Sequence, residues 1–340
     1  MIKTELILLT NNVIFPFQNL QKDPGLKFAQ LNKLFATQSV AEHGLGFMIN
    51  IYEVKDPNDE WGKKLIKKVI FDTGSTNETF LYNMNARAYT LYDIDMILIS
   101  HWHYDHTGGL YQILEQVENE IPVICHDSAK FERFFRRSFN VKDSDLDGKN
   151  RDEIIPLLST SKIVNQAPID LNHMDDLNAK VIFTKETLEI FNDGGLKITL
   201  SGEIPRIHPE EDFSSFFSLQ EGIVKVDKIL DDKCLIFEYQ ENVVLLLGCC
   251  HSGIMNTLDY VKNITTKPIS HIIGGFHLAN ATDQRIKTTI EYLKSFQDYD
   301  KPIYLFPIHC SGNKFLFELK RSNYSNLKTY NASVGTIFEF

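Results

Sequence analysis

The sequence predicts an α/β layered fold in which two sheets face each other. Three observations predict it. Short apolar runs alternate with helical patterns in the first third of the chain, and the same alternation returns after residue 195. Between them, at about 127–195, the pattern weakens. The two strand-rich parts, 1–125 and 196–340, read as the two sheets of a single domain spanning 1–340, with the middle stretch as a cap or insertion on one rim.

Each element follows from its local pattern. Leu6–Leu9 is a first strand. Gly46–Tyr52 alternates and is apolar, Lys67–Phe71 ends in the turn Asp72-Thr73-Gly74, and Asp95–Ser100 is a buried strand. Residues 77–90 and 107–118 carry helical spacing, and Lys180–Phe183 is a strand within the cap. Later strands are expected at Leu196–Leu200, Lys233–Tyr239, Asn242–Leu247, His271–Ile273 and Pro302–Phe306. A helix is expected over Asp283–Asp298, and Ser333–Phe340 alternates as a closing edge strand.

Composition narrows the function. The 340 residues carry a net charge of −10, which argues against a nucleic-acid or anionic-membrane partner, because both reward clustered Lys and Arg. A small-molecule substrate is the expected partner. One local basic stretch, Phe131–Arg137, reads as a solvated helix face, or else as an anion-reading rim. The opening residues hold too short an apolar run for a signal peptide, and no run approaches the roughly 18 apolar residues of a membrane span. Cys125, Cys234, Cys249, Cys250 and Cys310 are odd in number and lack a CxxC spacing, so a reducing, cytoplasmic compartment is expected. The Asp-rich run 142–150 lacks the terminal glutamate of a calcium loop.

The segment Ser100-His101-Trp102-His103-Tyr104-Asp105-His106-Thr107-Gly108-Gly109 carries the chemistry. Four metal-type ligands fall within six residues, directly after a buried strand that aims them. With 11 histidines in the whole chain, three in so short a span are improbable by chance. Imidazoles with one carboxylate suit zinc, iron or manganese. Two ions about 3.5–4 Å apart would hold a water and lower its pKa toward neutrality. Trp102 and Tyr104 alternate with the ligands and should point elsewhere, into the wall of the pocket, with Tyr104 within reach of substrate. Phe213, Phe216 and Phe217 read as core, or else as a lid over an apolar or aromatic substrate.

The HxHxDH segment resembles the hallmark of the metallo-β-lactamase superfamily, and Asp72-Thr73-Gly74 resembles its upstream element. Ser201-Gly202-Glu203-Ile204-Pro205-Arg206, Gly248-Cys249-Cys250-His251-Ser252-Gly253, Gly274-Gly275-Phe276-His277-Leu278 and His309-Cys310-Ser311-Gly312 resemble one branch, that of dihydropterin–ribofuranosylaminobenzene phosphate synthases. The resemblance implies a four-layer αββα sandwich of two facing mixed β-sheets with helices outside. It implies one metal site from His101, His103 and His251 and another from Asp105, His106 and His309. Asp72 would support a ligand histidine. Tyr104, Glu203 and Arg206 would support the ligands from behind or contact substrate, and His277 would support them, contact substrate or itself ligate a metal. One departure stands out. Many members place a bridging aspartate where this chain has Cys249, which is either a thiolate ligand or a small buried residue. The usual third-motif histidine is replaced around Glu203, with His208 nearby.

The expected function is a dinuclear metal-dependent hydrolase. A metal-bound hydroxide, with Asp105 as catalytic residue, would attack an ester, phosphoester or lactone. Two divalent ions are implied, zinc first, with iron, manganese or magnesium also compatible. One alternative is a transferase joining a dihydropterin diphosphate to an aminobenzene-type partner. Another is a metal- or ligand-binding protein without turnover. Redox members of the superfamily carry Glu at the position of His103, so the histidine favours non-redox chemistry.

Overall fold

The computed structural model describes residues 1–15, 28–29, 39–56, 62–211, 216–296, 302–322 and 324–340. Among these, two large sheets face each other and a small third sheet lies at one rim. The first sheet runs in the order β2 (Phe28–Ala29), β19 (Ile337–Glu339), β1 (Ile2–Thr10), β3 (Gly46–Val54), β4 (Lys63–Thr73), β5 (Met96–Leu98), β6 (Ile121–Cys125) and β9 (Ala179–Phe183). Its first half is antiparallel, and β4, β5, β6 and β9 are parallel. The second sheet runs β10 (Leu188–Asp193), β11 (Leu196–Leu200), β14 (Cys234–Glu238), β15 (Val243–Leu247), β16 (Ile269–Gly274), β17 (Ile303–Pro307) and β18 (Leu327–Thr329). Its last four strands are parallel.

The two-residue period of a strand builds the layers. In β15, Val244 and Leu246 share the core between the sheets with Leu6, Leu8, Phe47 and Phe71. Val243, Leu245 and Leu247 face the other way, toward helices. Each such fully buried side chain contributes roughly 1.5–3 kcal/mol. Helices α1 (Thr79–Asn85) and α3 (Leu110–Leu114) cover the outer face of the first sheet, and the short α2 (Tyr104–Thr107) lies at its strand ends. A short helix α4 (Arg151–Ser159) packs Ile154 on the small sheet, and α5 (Leu171–Asp176) packs Met174 on the first. The second sheet is covered by α6 (Ile254–Ile264), α7 (Asp283–Ser295) and α8 (Asn313–Ser322). The spacings Ile254/Leu258/Val261, Ile286/Ile290/Leu293 and Phe315/Leu319 put one apolar stripe of each helix on the sheet. The result is the expected αββα sandwich.

Several local expectations differ. The helical pattern over 107–118 breaks into α2 and α3 at Gly108-Gly109, where the chain crosses the turn after β4. A Cβ on Gly108 would lie 2.2 Å from the Ser75 carbonyl. The last strand is not an edge, because β19 pairs with both β1 and β2. The cap stretch divides: β9 and β10 join the two main sheets. The small sheet takes β7 (Arg133–Arg136) and β8 (Ile163–Gln166) from it, and adds β12 (Phe216–Gln220) and β13 (Ile223–Val226) from further along. The basic stretch is therefore strand β7, not a helix face. Its Arg133 is buried against Asp227 and Asp231, at 3.2 and 2.8 Å. No helix of the described residues is long and apolar enough to cross a membrane.

Candidate metal centre

The site collects at the carboxyl ends of parallel strands from both sheets. On the first sheet, β4 ends in Asp72 and β5 runs into Ser100. Asp72 accepts from the Ser100 backbone N at 2.7 Å and from Ser100 Oγ at 2.7 Å, which ties the two strand ends together. The chain then turns through His101, leaves His103 extended as the residue before α2, and sets Asp105 and His106 in that helix. On the second sheet, β15, β16 and β17 end at Cys249 and His251, at His277, and at His309.

These ends converge. His101 Nε2 faces His251 Nε2 at 3.2 Å. The Cys249 sulfur lies 3.1 Å from His106 Nε2 and 3.2 Å from His309 Nε2. Asp105 Oδ2 lies 3.3 Å from His309 Nε2 and 3.9 Å from His106 Nε2. Ligand atoms of Asp105, His106, Cys249 and His309 fall within 4.8 Å of one another, as do those of His101, Cys249 and His251. Cys249 belongs to both groups and sits between them, where the resemblance expects a bridging aspartate. The His103 ring is 4.5 Å from His101 and 4.8 Å from His251 between centroids. Its Nε2 is buried without a hydrogen-bond partner among the described residues.

The far side of three of the imidazoles is anchored. His106 Nδ1 donates to Asp72 at 2.6 Å, His101 Nδ1 to Ser100 Oγ at 2.9 Å, and His309 Nδ1 to Asn12 Oδ1 at 3.0 Å. Such outer partners fix tautomer and ring direction, leaving Nε2 for the centre. Burial pushes His101 and His251 far down and His103 to about 3, so all three are neutral, the form that ligates. Burial also opposes charge on His106, but Asp72 and Asp105 outweigh it and lift that group to about 9. Burial disfavours the Asp105 charge as well, yet His106, His309 and His43 hold it ionised. Burial raises the Cys249 thiol, so the sulfur needs a cation beside it to ionise. An orphaned imidazole nitrogen, neutral histidines and a carboxylate field that favours positive charge fit divalent metal ions.

The backbone is strained here. Asp72, Cys250, His277 and His309 all have positive φ, between 47° and 61°. Each such non-glycine residue costs about 1–3 kcal/mol, which persists because the surrounding packing dictates it.

A cavity of about 400 Å³ opens onto the cluster. Tyr104, half exposed, lines it, as do His277, Cys310 and His43. The small sheet supplies Phe135 and Phe216 to its wall. Phe216 lies 5.1 Å from His103 and 5.2 Å from His251, and 6.1 Å from Phe135, edge to face. Phe217 is core, and Phe213 lies outside the described residues. Trp102 is buried and points away, its backbone N donating to Asp231 at 2.7 Å.

Two expected residues lie outside the cavity wall. Glu203 turns from the centre and accepts from His126 Nε2 at 2.9 Å. One turn after β15 delivers both Cys249 and His251 to the cluster. Arg206 does not line the cavity but donates to the carbonyls of His251, Lys228 and Ile229, bracing that turn. His208 pairs with Asp259 at 2.7 Å, away from the cluster. The sequence reading missed His43, whose Nε2 reaches Asp105 at 3.3 Å, and Asn12, which links His43 to His309. Both lie in irregular segments with no motif. Cys310 was passed over although it adjoins His309.

Comparisons with known proteins bear on this geometry. Residues 66–207 match the model of the metallo-beta-lactamase superfamily. A 7,8-dihydropterin-6-methyl-4-(beta-D-ribofuranosyl)-aminobenzene-5'-phosphate synthase of Methanocaldococcus jannaschii is 29% identical over 289 residues, covering 82% of this chain and 86% of that one. An uncharacterized protein of the same organism is 26% identical, covering 83% and 89%. The crystal structure of a metal-dependent hydrolase of the beta-lactamase superfamily covers 99% of both chains with a TM-score of 0.66 at 19% identity, a likeness of fold.

Proposed function

This chain belongs to the metallo-beta-lactamase superfamily, and on that premise we propose that it is a metal-dependent transferase joining a dihydropterin diphosphate to an aminobenzene-type partner. The observation that carries this reading is the aromatic wall. Phe135 and Phe216 stand edge to face directly over His103 and His251, a surface on which a planar ring can lie beside the ligand cluster. The synthase likeness over most of the chain supports the same choice.

In this reading His101, His103 and His251 would hold one divalent ion and Asp105, His106 and His309 the other, with the Cys249 sulfur close to both groups, and zinc is the first candidate for this N, O and S donor set. When bound, such ions act as Lewis acids on the departing diphosphate. The amine nitrogen bonds to the pterin methylene carbon as the carbon–oxygen bond to diphosphate breaks, and the amine loses one proton. Phe135, Phe216 and Tyr104 orient the rings and exclude water. The ionised Asp105, held by His43 and His309, orients the incoming amine.

Hydrolysis is the second reading. It is favoured by Asp105 itself, an ionised carboxylate on the cavity wall that can orient a water as well as an amine. Metal-loaded protein incubated with the dihydropterin diphosphate separates the two. Diphosphate release that requires the aminobenzene partner supports the transferase. Release without it supports the hydrolase. No chelator-sensitive release in either case leaves neither. Phe216→Ala should raise KM about tenfold with a smaller change in kcat, the ~1.4 kcal/mol of one lost aromatic contact.

A further inference from the structure

Cys249 has a third set of neighbours. The ligand atoms of Cys249, His277 and Cys310 fall within 4.8 Å of one another, on the cavity side of the centre. The three residues come from the ends of three adjacent parallel strands, β15, β16 and β17, so rigid elements aim them. We propose that Cys249, His277 and Cys310 form an additional, sulfur-rich metal position that shares the Cys249 thiolate with the dinuclear centre.

The surroundings are shaped for this approach. A Cβ on residue 275 would lie 2.6 Å from the Cys310 sulfur and 3.0 Å from Cys249 Cα, so glycine there is what lets the two cysteines share the space. Cys310 also packs its sulfur 3.4 Å from the Cys249 carbonyl. His277 is held at φ 47°, which turns its ring onto His251 with centroids 4.0 Å apart. All three line the cavity, which leaves a fourth coordination position open to water or a ligand. Two sulfurs and one imidazole form a softer set than the His and Asp groups behind them. That set selects a thiophilic ion such as zinc or ferrous iron over magnesium or manganese. Thiolate bridging between neighbouring ions is ordinary coordination chemistry, so one sulfur can serve both. The inference holds whichever reaction the centre performs.

The test is a cobalt(II) titration of the chelator-stripped full-length protein under anaerobic conditions, following bound cobalt by equilibrium dialysis and sulfur-to-cobalt charge-transfer absorption in the near ultraviolet. The wild type should saturate at about three equivalents, with both thiolates contributing to the absorption. Cys310→Ser should bind about one equivalent fewer and lose about half of that absorption, and His277→Ala should lose the same equivalent. Cys125→Ser, a buried cysteine in β6, should match the wild type, and circular dichroism checks that each variant folds. Saturation of the wild type at two equivalents overturns the proposal. So does a folded Cys310→Ser protein with wild-type stoichiometry and absorption.

Discussion

Asp72 shows how much one side chain can carry. It is fully buried, takes two hydrogen bonds from Ser100 and a third from His106, and adopts a left-handed backbone to do so. One carboxylate therefore both ties the Ser100 turn and anchors the His106 ring. Asp72→Asn keeps the shape but weakens the acceptor that orients His106. Metal affinity, measured by competition with a chromophoric chelator, should fall about 10- to 100-fold. Unchanged affinity with lowered thermal stability would reduce Asp72 to a cap. At the same scale, Cys249 was visible only as an ambiguity. A cysteine after an apolar strand reads equally as core or ligand until His106 and His309 are placed on either side of it.

At the scale of elements, strand β7 couples the small sheet to the centre. Arg133 reaches from it to Asp227 and Asp231, and Asp231 in turn accepts from the backbone of Trp102 between two candidate ligands. A buried pair of this kind is strongly destabilising when half of it is removed, because the remaining charge is uncompensated. Asp231→Ala should cost about 3–5 kcal/mol in urea unfolding and loosen His103. A loss below about 1 kcal/mol would show that the pair contributes little. The run of arginines was legible as sequence, but its strand conformation was not. That conformation depends on pairing with β12, some eighty positions away, and local spacing holds no record of such a partner.

The whole molecule stacks its layers so closely that polar groups are caught between them. His271 in β16 lies against Tyr304 and Phe340, and burial holds it at about 4. Its folded value is below the ordinary 6.5, so the folded state prefers the neutral ring. The sign follows from linkage: this contribution is complete above pH 6.5 and is lost as pH falls toward 4. The full span is on the order of 3 kcal/mol. His271→Phe should shrink the stability difference between pH 7 and pH 4.5 in urea unfolding. An identical difference in both proteins would refute this account.

The sequence by itself determined two facing sheets and the ligand-rich turn after β5, while its family resemblance supplied the αββα layering and the two further histidines, His251 and His309. These are local facts: apolar alternation dictates which face of a strand is buried, and a strand end dictates where its turn points. Only the tertiary structure decided that Cys249 lies between the two ligand groups and that Glu203 faces His126. It also decided that His43 closes on Asp105, and that Cys310 and His277 come beside Cys249. Those contacts join residues up to about 150 positions apart along the chain. They meet because two sheets, each built from its own hydrogen-bonded register, present their carboxyl ends to one another, and that meeting is set by the packing between the sheets.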